Sequence, residues 1–213
     1  SSSLGRRAPS DLRAGKPRAT LELFQSDSAR QRGRLWHAWL EGIEWSEDAL
    51  RDPAILLERA RELGFAGAAS ADALEFLAAL AQPQVQHELS RAQSALRLGC
   101  GVDDLRLLRE QRFAFVRESR SAGEGRPGAR ELVSGAIDRA IVSRTTRRAA
   151  IVDFKTDQVA SFDEAALQGR ARSYRPQLEL YRNALARLEG LEEASIAMRV
   201  CFVQSGRSIE LEA

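Results

Sequence analysis

Three residues carry side chains that do chemistry when brought together: Asp138, Asp153 and Lys155. They sit in Gly135-Ala136-Ile137-Asp138-Arg139 and Ile151-Val152-Asp153-Phe154-Lys155-Thr156. Both stretches have the apolar character of strands. Side chains alternate across a strand. Asp153 and Lys155 therefore share a face, about 7 Å apart along the chain, while Val152 and Phe154 point the other way, toward packing. A hairpin folded about Arg144–Arg147 would set Asp138 beside Asp153. Two carboxylates and an ammonium at a strand end suit phosphodiester hydrolysis. Carboxylate oxygens are hard ligands for Mg²⁺ or Mn²⁺. Such an ion polarises a phosphoryl oxygen and acidifies water, and a lysine orients that water or stabilises negative charge in the transition state. Taken alone, an Asp-x-Lys tripeptide is most often a strand-edge salt bridge.

The elements that must position these groups are legible in outline. The chain of 213 residues suits a single domain, and its character changes near residue 100. Before that point it reads as helical. Trp36, Trp39, Leu40 and Ile43 recur at helical spacing, which makes core packing the natural role of the two tryptophans. Asp52-Pro53 opens a second helix over Ala54–Leu63, closed at Gly64. A third is expected over Ala71–Ala81, opened by Ser70. A fourth is expected from Pro83 to Leu98, closed by Gly99 and Gly101. After that point strands are expected at Leu107–Val116, Leu132–Val142 and Ala149–Lys155, then a helix over Ser173–Leu188 and a strand over Ile196–Val203. Ser208–Leu211 adds an edge, and Ser119–Arg130 is a loop. Helices followed by β-β-β-α-β imply an α/β or α+β sheet with helices packed on it. Residues 1–19, rich in Ser, Gly, Pro and Arg, read as a linker or tail, with residues 20–213 as one domain carrying a helical insertion at about 46–100.

Bulk properties narrow the classes. With 32 basic and 30 acidic residues, net charge does not announce a nucleic-acid binder. The cysteines Cys100 and Cys201 form no paired motif, which fits a reducing cytoplasm and excludes an iron–sulfur cluster with four cysteine ligands. No apolar run approaches a membrane span, the N-terminus is no signal peptide, and no phosphate loop of an ATPase is present.

Four segments occur in an order that carries more than any one of them: "GRLWHAWLE", "GAIDRAI", "IVDFKTD" and "YRPQLELYR". This succession resembles the RecB-type nucleases of the PD-(D/E)XK superfamily, and most of all the C-terminal nuclease domain of AddA-like helicase–nucleases. The resemblance spans roughly residues 30–203. It implies a mixed central sheet flanked by helices and Mg²⁺- or Mn²⁺-dependent DNA hydrolysis. Asp138 and Asp153 would hold the metal with His37 and the backbone carbonyl of Phe154, and Lys155 would be the catalytic lysine. Gln177 and Tyr181, four apart on one helix face, would help to position DNA. Glu110 matches an acidic position often found on the family's first strand, with a solvated strand-end charge as the alternative. Outside this context His37 reads as a packed histidine, and His87 reads as a surface or packing residue. Glu41, one turn on, would support the His37 ring or be a solvated charge. Tyr174 and Arg175 lie where they would meet phosphate or base. The arginines at 144, 147, 148, 170, 172 and 175 read first as solvated surface.

The resemblance also implies partners: a single strand fed from an unwound duplex, a helicase motor upstream in the same polypeptide, and an AddB-like subunit acting in double-strand-break repair. The alternatives are a nuclease-like scaffold that has lost catalysis, which usually lacks an acidic ligand or the lysine, and a stand-alone exonuclease of the same superfamily.

Overall fold

The computed structural model describes residues 5–7, 27–48, 52–65, 67, 70–118, 130–156 and 163–212. The helical half contains α1 (Asp27–Gly42), α2 (Pro53–Glu62), α3 (Ser70–Leu80), α4 (Pro83–Leu89) and α5 (Arg91–Leu98). Capping sets these boundaries. Asp52 accepts a hydrogen bond from the Ala54 N–H at 2.8 Å, and Pro53 takes the first helical position, where its missing N–H costs nothing. The single helix expected over Pro83–Leu98 is broken in two. Ser90 adopts an extended conformation (φ −77°, ψ 131°) and its hydroxyl caps α5 by accepting from the Gln93 N–H. Gly99, left-handed at φ 68°, closes α5.

The second half contains β2 (Leu105–Glu118), β3 (Arg130–Ser143), β4 (Arg148–Lys155), α6 (Glu164–Ser173), α7 (Arg175–Glu189), β5 (Ile196–Phe202) and β6 (Arg207–Leu211). A short β1 (Gly5–Arg7) precedes them all. Among the described residues the mixed sheet is six-stranded. β2 pairs with β3 along its whole length, β3 is antiparallel to β4, β4 parallel to β5, and β5 antiparallel to β6. β4 is the central strand and is buried from Ala149 to Lys155. Its ladder with β3 covers only Arg139–Ser143, leaving the first part of that edge open. β1 fills it, pairing with Glu131–Val133. The segment read as a tail thus contributes a strand because β3 is longer than β4 and offers unpaired backbone groups. Most of the loop expected at Ser119–Arg130 lies outside the described residues.

The described residues pack a core on each face of the sheet, with a smaller cluster of Trp45, Leu98, Ile141 and Ala150 beside them. One face carries Ile151, Met198, Val200 and Phe202 and packs against Leu178, Tyr181 and Leu185 of α7. The opposite face carries Val152, Phe154 and Cys201 and packs against Trp36, Trp39, Phe76 and Leu89 of the helical half. Both tryptophans are buried, as their spacing requires, and His87 is exposed. One helix was not foreseen. Only Leu167 and Ala171 of α6 are buried, a stripe too thin to read by period. Among the described residues no helix is long and apolar enough to cross a membrane.

Candidate active site

Strand alternation holds through β4. Asp153 and Lys155 share the α7 face with Ile151, while Val152 and Phe154 face the helical half. Lys155 Nζ lies 2.6 Å from Asp153 Oδ2, outside hydrogen-bond geometry, and Asp153 Oδ1 is buried with no hydrogen-bond partner. Burial pushes the Asp153 carboxyl well above the usual range. Lys155 opposes that shift, and Asp138 adds to it.

Asp138 reaches this centre through register. The β3–β4 ladder ends at Arg139↔Val152, and the next residues in line are Asp138 and Asp153. There the strands part, and the Phe154 N–H donates to Asp138 Oδ2 at 2.9 Å. The alternation of β3 also breaks at this point. Ile137, Ala140 and Val142 pack in the α7-side core, so Ile137 and Ala140 share a face although they are three residues apart. Opposite the break, Glu110 takes the left-handed conformation at φ 46°, rare for a residue with a side chain. The paired register continues on either side of it, at Arg109↔Arg139 and Gln111↔Ile137. Glu110 therefore lies within β2, not at its start, and the distortion aims its carboxylate at Asp138.

His37 arrives from the other layer. Its Nδ1 lies 3.6 Å from Asp138 Oδ2. Gly33, one turn earlier, lets α1 approach the end of β4, since a Cβ there would stand 3.0 Å from Thr156 Oγ1. At its C-terminus α1 has no basic residue of its own to meet its free carbonyls. The sheet supplies them. Arg109 donates to the Glu41 carbonyl at 2.7 Å, and Arg139 donates to those of Ile43 (3.2 Å) and Glu44 (2.6 Å). Arg139 is 1% exposed and lies over the Trp45 ring. Burial, together with Arg109, pulls its guanidinium down to about 10, so it stays charged at neutral pH. No motif singled out Arg109 or Arg139; a basic residue beside each site position was the available sign.

His37, Glu110 and Asp138 present ligand atoms all within 4.8 Å of one another. They line a cleft shared with Glu41, Arg109 and Phe154. Burial and the nearby Asp138 carboxylate raise the Glu110 pKa, with His37 opposing. A buried acid and a half-buried acid, both shifted upward beside a third acid, and an orphaned carboxylate oxygen, are what a divalent cation relieves. The donor set of carboxylate oxygens and one imidazole suits such an ion.

From α7, Gln177 and Tyr181 are both buried, with Gln177 Nε2 donating to the Tyr181 hydroxyl at 2.7 Å. Burial, with Asp153 and Asp138, raises the phenol far above its usual range, so Tyr181 stays protonated. Tyr174 departs from expectation. It is 0% exposed, at the junction of α6 and α7, where α6 ends and α7 begins ahead of Pro176. Its ring is thereby drawn into the core instead of toward phosphate. Arg175 is engaged with Glu179 and the Glu212 carbonyl, and Arg147 with the Gly190 carbonyl.

The chain matches the PD-(D/E)XK nuclease superfamily over residues 11–212, nearly its full length, and belongs to that superfamily. This makes its class that of the metal-dependent nucleases. A comparison with curated proteins gave no match.

Proposed function

We propose that this domain is a Mg²⁺- or Mn²⁺-dependent deoxyribonuclease that cuts single-stranded DNA exonucleolytically. The observation that carries this reading is the convergence of His37, Glu110 and Asp138 beside the buried Asp153–Lys155 pair. His37, Asp138, Asp153 and the Phe154 carbonyl hold the cation, and Glu110 completes the set. Bound there, a divalent ion supplies Lewis-acid polarisation of the phosphoryl oxygen and neutralises its charge. The Lys155 ammonium orients the attacking water or stabilises charge growing on the phosphoryl group. Gln177 and the protonated Tyr181 position the strand from α7.

The order of the four sequence motifs supports a finer reading: a RecB-type domain of an AddA-like helicase–nuclease. A motor in the same polypeptide would deliver the strand, with an AddB-like subunit as partner in double-strand-break repair. Retention of the carboxylates and the lysine favours catalysis over a scaffold role.

The test is cleavage of end-labelled single-stranded and duplex DNA with Mg²⁺ or Mn²⁺, alongside Asp153→Ala and Lys155→Ala. Wild type should degrade the single strand faster and both variants should be inactive. Equal behaviour of all three proteins would overturn the assignment.

A further inference from the structure

We propose that Tyr174 is the positioning residue of Lys155, its ring holding the ammonium where Asp153 alone would not fix it. This rests on the role given to Lys155 above. The Lys155 Nζ stands 4.5 Å from the centre of the Tyr174 ring, inside the range in which a cation is drawn to an aromatic face. Lys155 is itself buried, so water screens the attraction little. The ring is fixed in turn. Tyr174 is fully buried and packs on Phe202 at 6.4 Å between centroids. Its carbonyl accepts from the Gln177 and Leu178 N–H groups, tying it to the start of α7. Tyr174, Gln177 and Tyr181 follow at intervals of three and four, the spacing that puts side chains on one helical face.

A second anchor is needed because Asp153 has two tasks. Its Oδ2 contacts Lys155, yet the same carboxylate is assigned to the cation. A lysine held only by Asp153 would shift whenever that carboxylate turned toward the metal. The ring holds the ammonium without using any lone pair of the metal site. Composition points the same way. Among the 32 Lys and Arg residues only Lys16 and Lys155 are lysines. The chain uses arginine almost everywhere, but at this position keeps a compact ammonium, which fits over one ring face and still reaches a carboxylate.

The experiment compares Tyr174→Phe, which keeps the ring, with Tyr174→Leu, which keeps bulk but removes it. Single-turnover cleavage should stay within about twofold of wild type for Phe and fall about 10–30-fold for Leu, the value of a desolvated cation–ring contact. Mn²⁺ affinity by calorimetry should be unchanged in both. The direct readout needs no activity. In protein labelled with [¹³C]lysine, only two lysines give signals, and Lys155→Arg identifies the one that matters. Its Hε resonances should be shifted upfield by the ring current in wild type and Tyr174→Phe, and return to the urea-denatured position in Tyr174→Leu. An unshifted Lys155 signal in wild type overturns the proposal, even should the Leu variant fail to fold. So does a rate loss in Phe equal to that in Leu. A shifted signal in a protein that cleaves nothing would instead sink the nuclease reading and leave the contact standing.

Discussion

His37 Nδ1 lies 3.6 Å from Asp138 Oδ2, and this contact joins the helical layer to the sheet at the acidic cleft. Each residue alone is ordinary. Together, with Glu110, they form a three-donor cluster. Removing a ligand and removing the lysine should therefore have separable effects. His37→Ala should weaken Mn²⁺ binding by more than the roughly 10–100-fold typical of residues that only support a ligand. Lys155→Ala should leave Mn²⁺ binding within a few-fold of wild type while abolishing cleavage. Calorimetric titration of both variants decides this. Wild-type affinity in His37→Ala would remove histidine from the site.

Glu110 has the opposite signature, because its carboxylate is a cost to the metal-free fold. Burial and Asp138 raise its pKa in the folded protein. A raised folded pKa gives stability that is full below the ordinary carboxylate range and is lost as pH rises through the raised value. Metal-free protein should therefore lose stability through this group as pH rises above the ordinary carboxylate range. Glu110→Gln should remove that loss, raise metal-free stability at pH 7, and impair catalysis. The difference between wild type and variant isolates the effect from Glu47 and Asp104, whose carboxyls are shifted downward. Thermal melts with and without saturating Mg²⁺ measure it, and the ion should abolish the difference in pH slope between wild type and variant. A variant less stable than wild type at pH 7 would show Glu110 to be a structural group.

The parts of this site that were legible in sequence are those fixed by local period. Asp153 and Lys155 share a face because a strand alternates, and β4 is long and regular enough for that rule to hold. Asp138 falls beside Asp153 because a short polar turn sets the hairpin register. What escaped detection depends on non-local backbone shape. The left-handed Glu110 and the slipped alternation at Asp138 exist only when β2 and β3 are paired, and neither leaves a mark in composition. Tyr174 was misplaced because α6 was invisible. Without it, Tyr174 reads as the exposed start of a helix instead of a buried junction between two. The arginines that bind α1 to the sheet were hidden for a similar reason, since their acceptors are backbone carbonyls 68 to 96 residues away in sequence.

Those arginines carry the next prediction. Arg139 donates to the carbonyls of Ile43 and Glu44, which follow α1 directly and have no basic neighbour on that helix. Arg139→Met keeps the length and apolar stem but leaves the buried Ile43 carbonyl and the partly buried Glu44 carbonyl unmet. At about 1–3 kcal/mol for a buried unsatisfied group, urea unfolding should show a loss of roughly 1–3 kcal/mol. Because the same bonds hold the helix carrying His37, Mn²⁺ affinity should fall although Arg139 is no ligand. Arg139→Lys should recover part of the stability, since one ammonium cannot span two carbonyls as a guanidinium fork does. Loss of stability with unaltered Mn²⁺ affinity would show that α1 is positioned by its apolar stripe alone.

Gly33 tests the same helix from its other end. On α1 a glycine costs about 1 kcal/mol relative to alanine, so an unconstrained Gly33→Ala would stabilise the protein. The structure sets a contact against that gain. The new Cβ would stand 3.0 Å from Thr156 Oγ1, directly after Lys155 at the end of β4. Either α1 retreats, taking His37 with it, or Thr156 moves. The two effects separate in a double-mutant cycle. In a Thr156→Ala background, Gly33→Ala should stabilise by about 0.5–1 kcal/mol, as propensity dictates. In the wild-type background the gain should vanish or reverse, giving a coupling energy of at least about 0.5 kcal/mol. Cleavage should fall in the single variant and recover in the double one. Additive stabilities would mean that the approach of α1 to β4 is loose enough to admit a methyl group, and that Gly33 has another role.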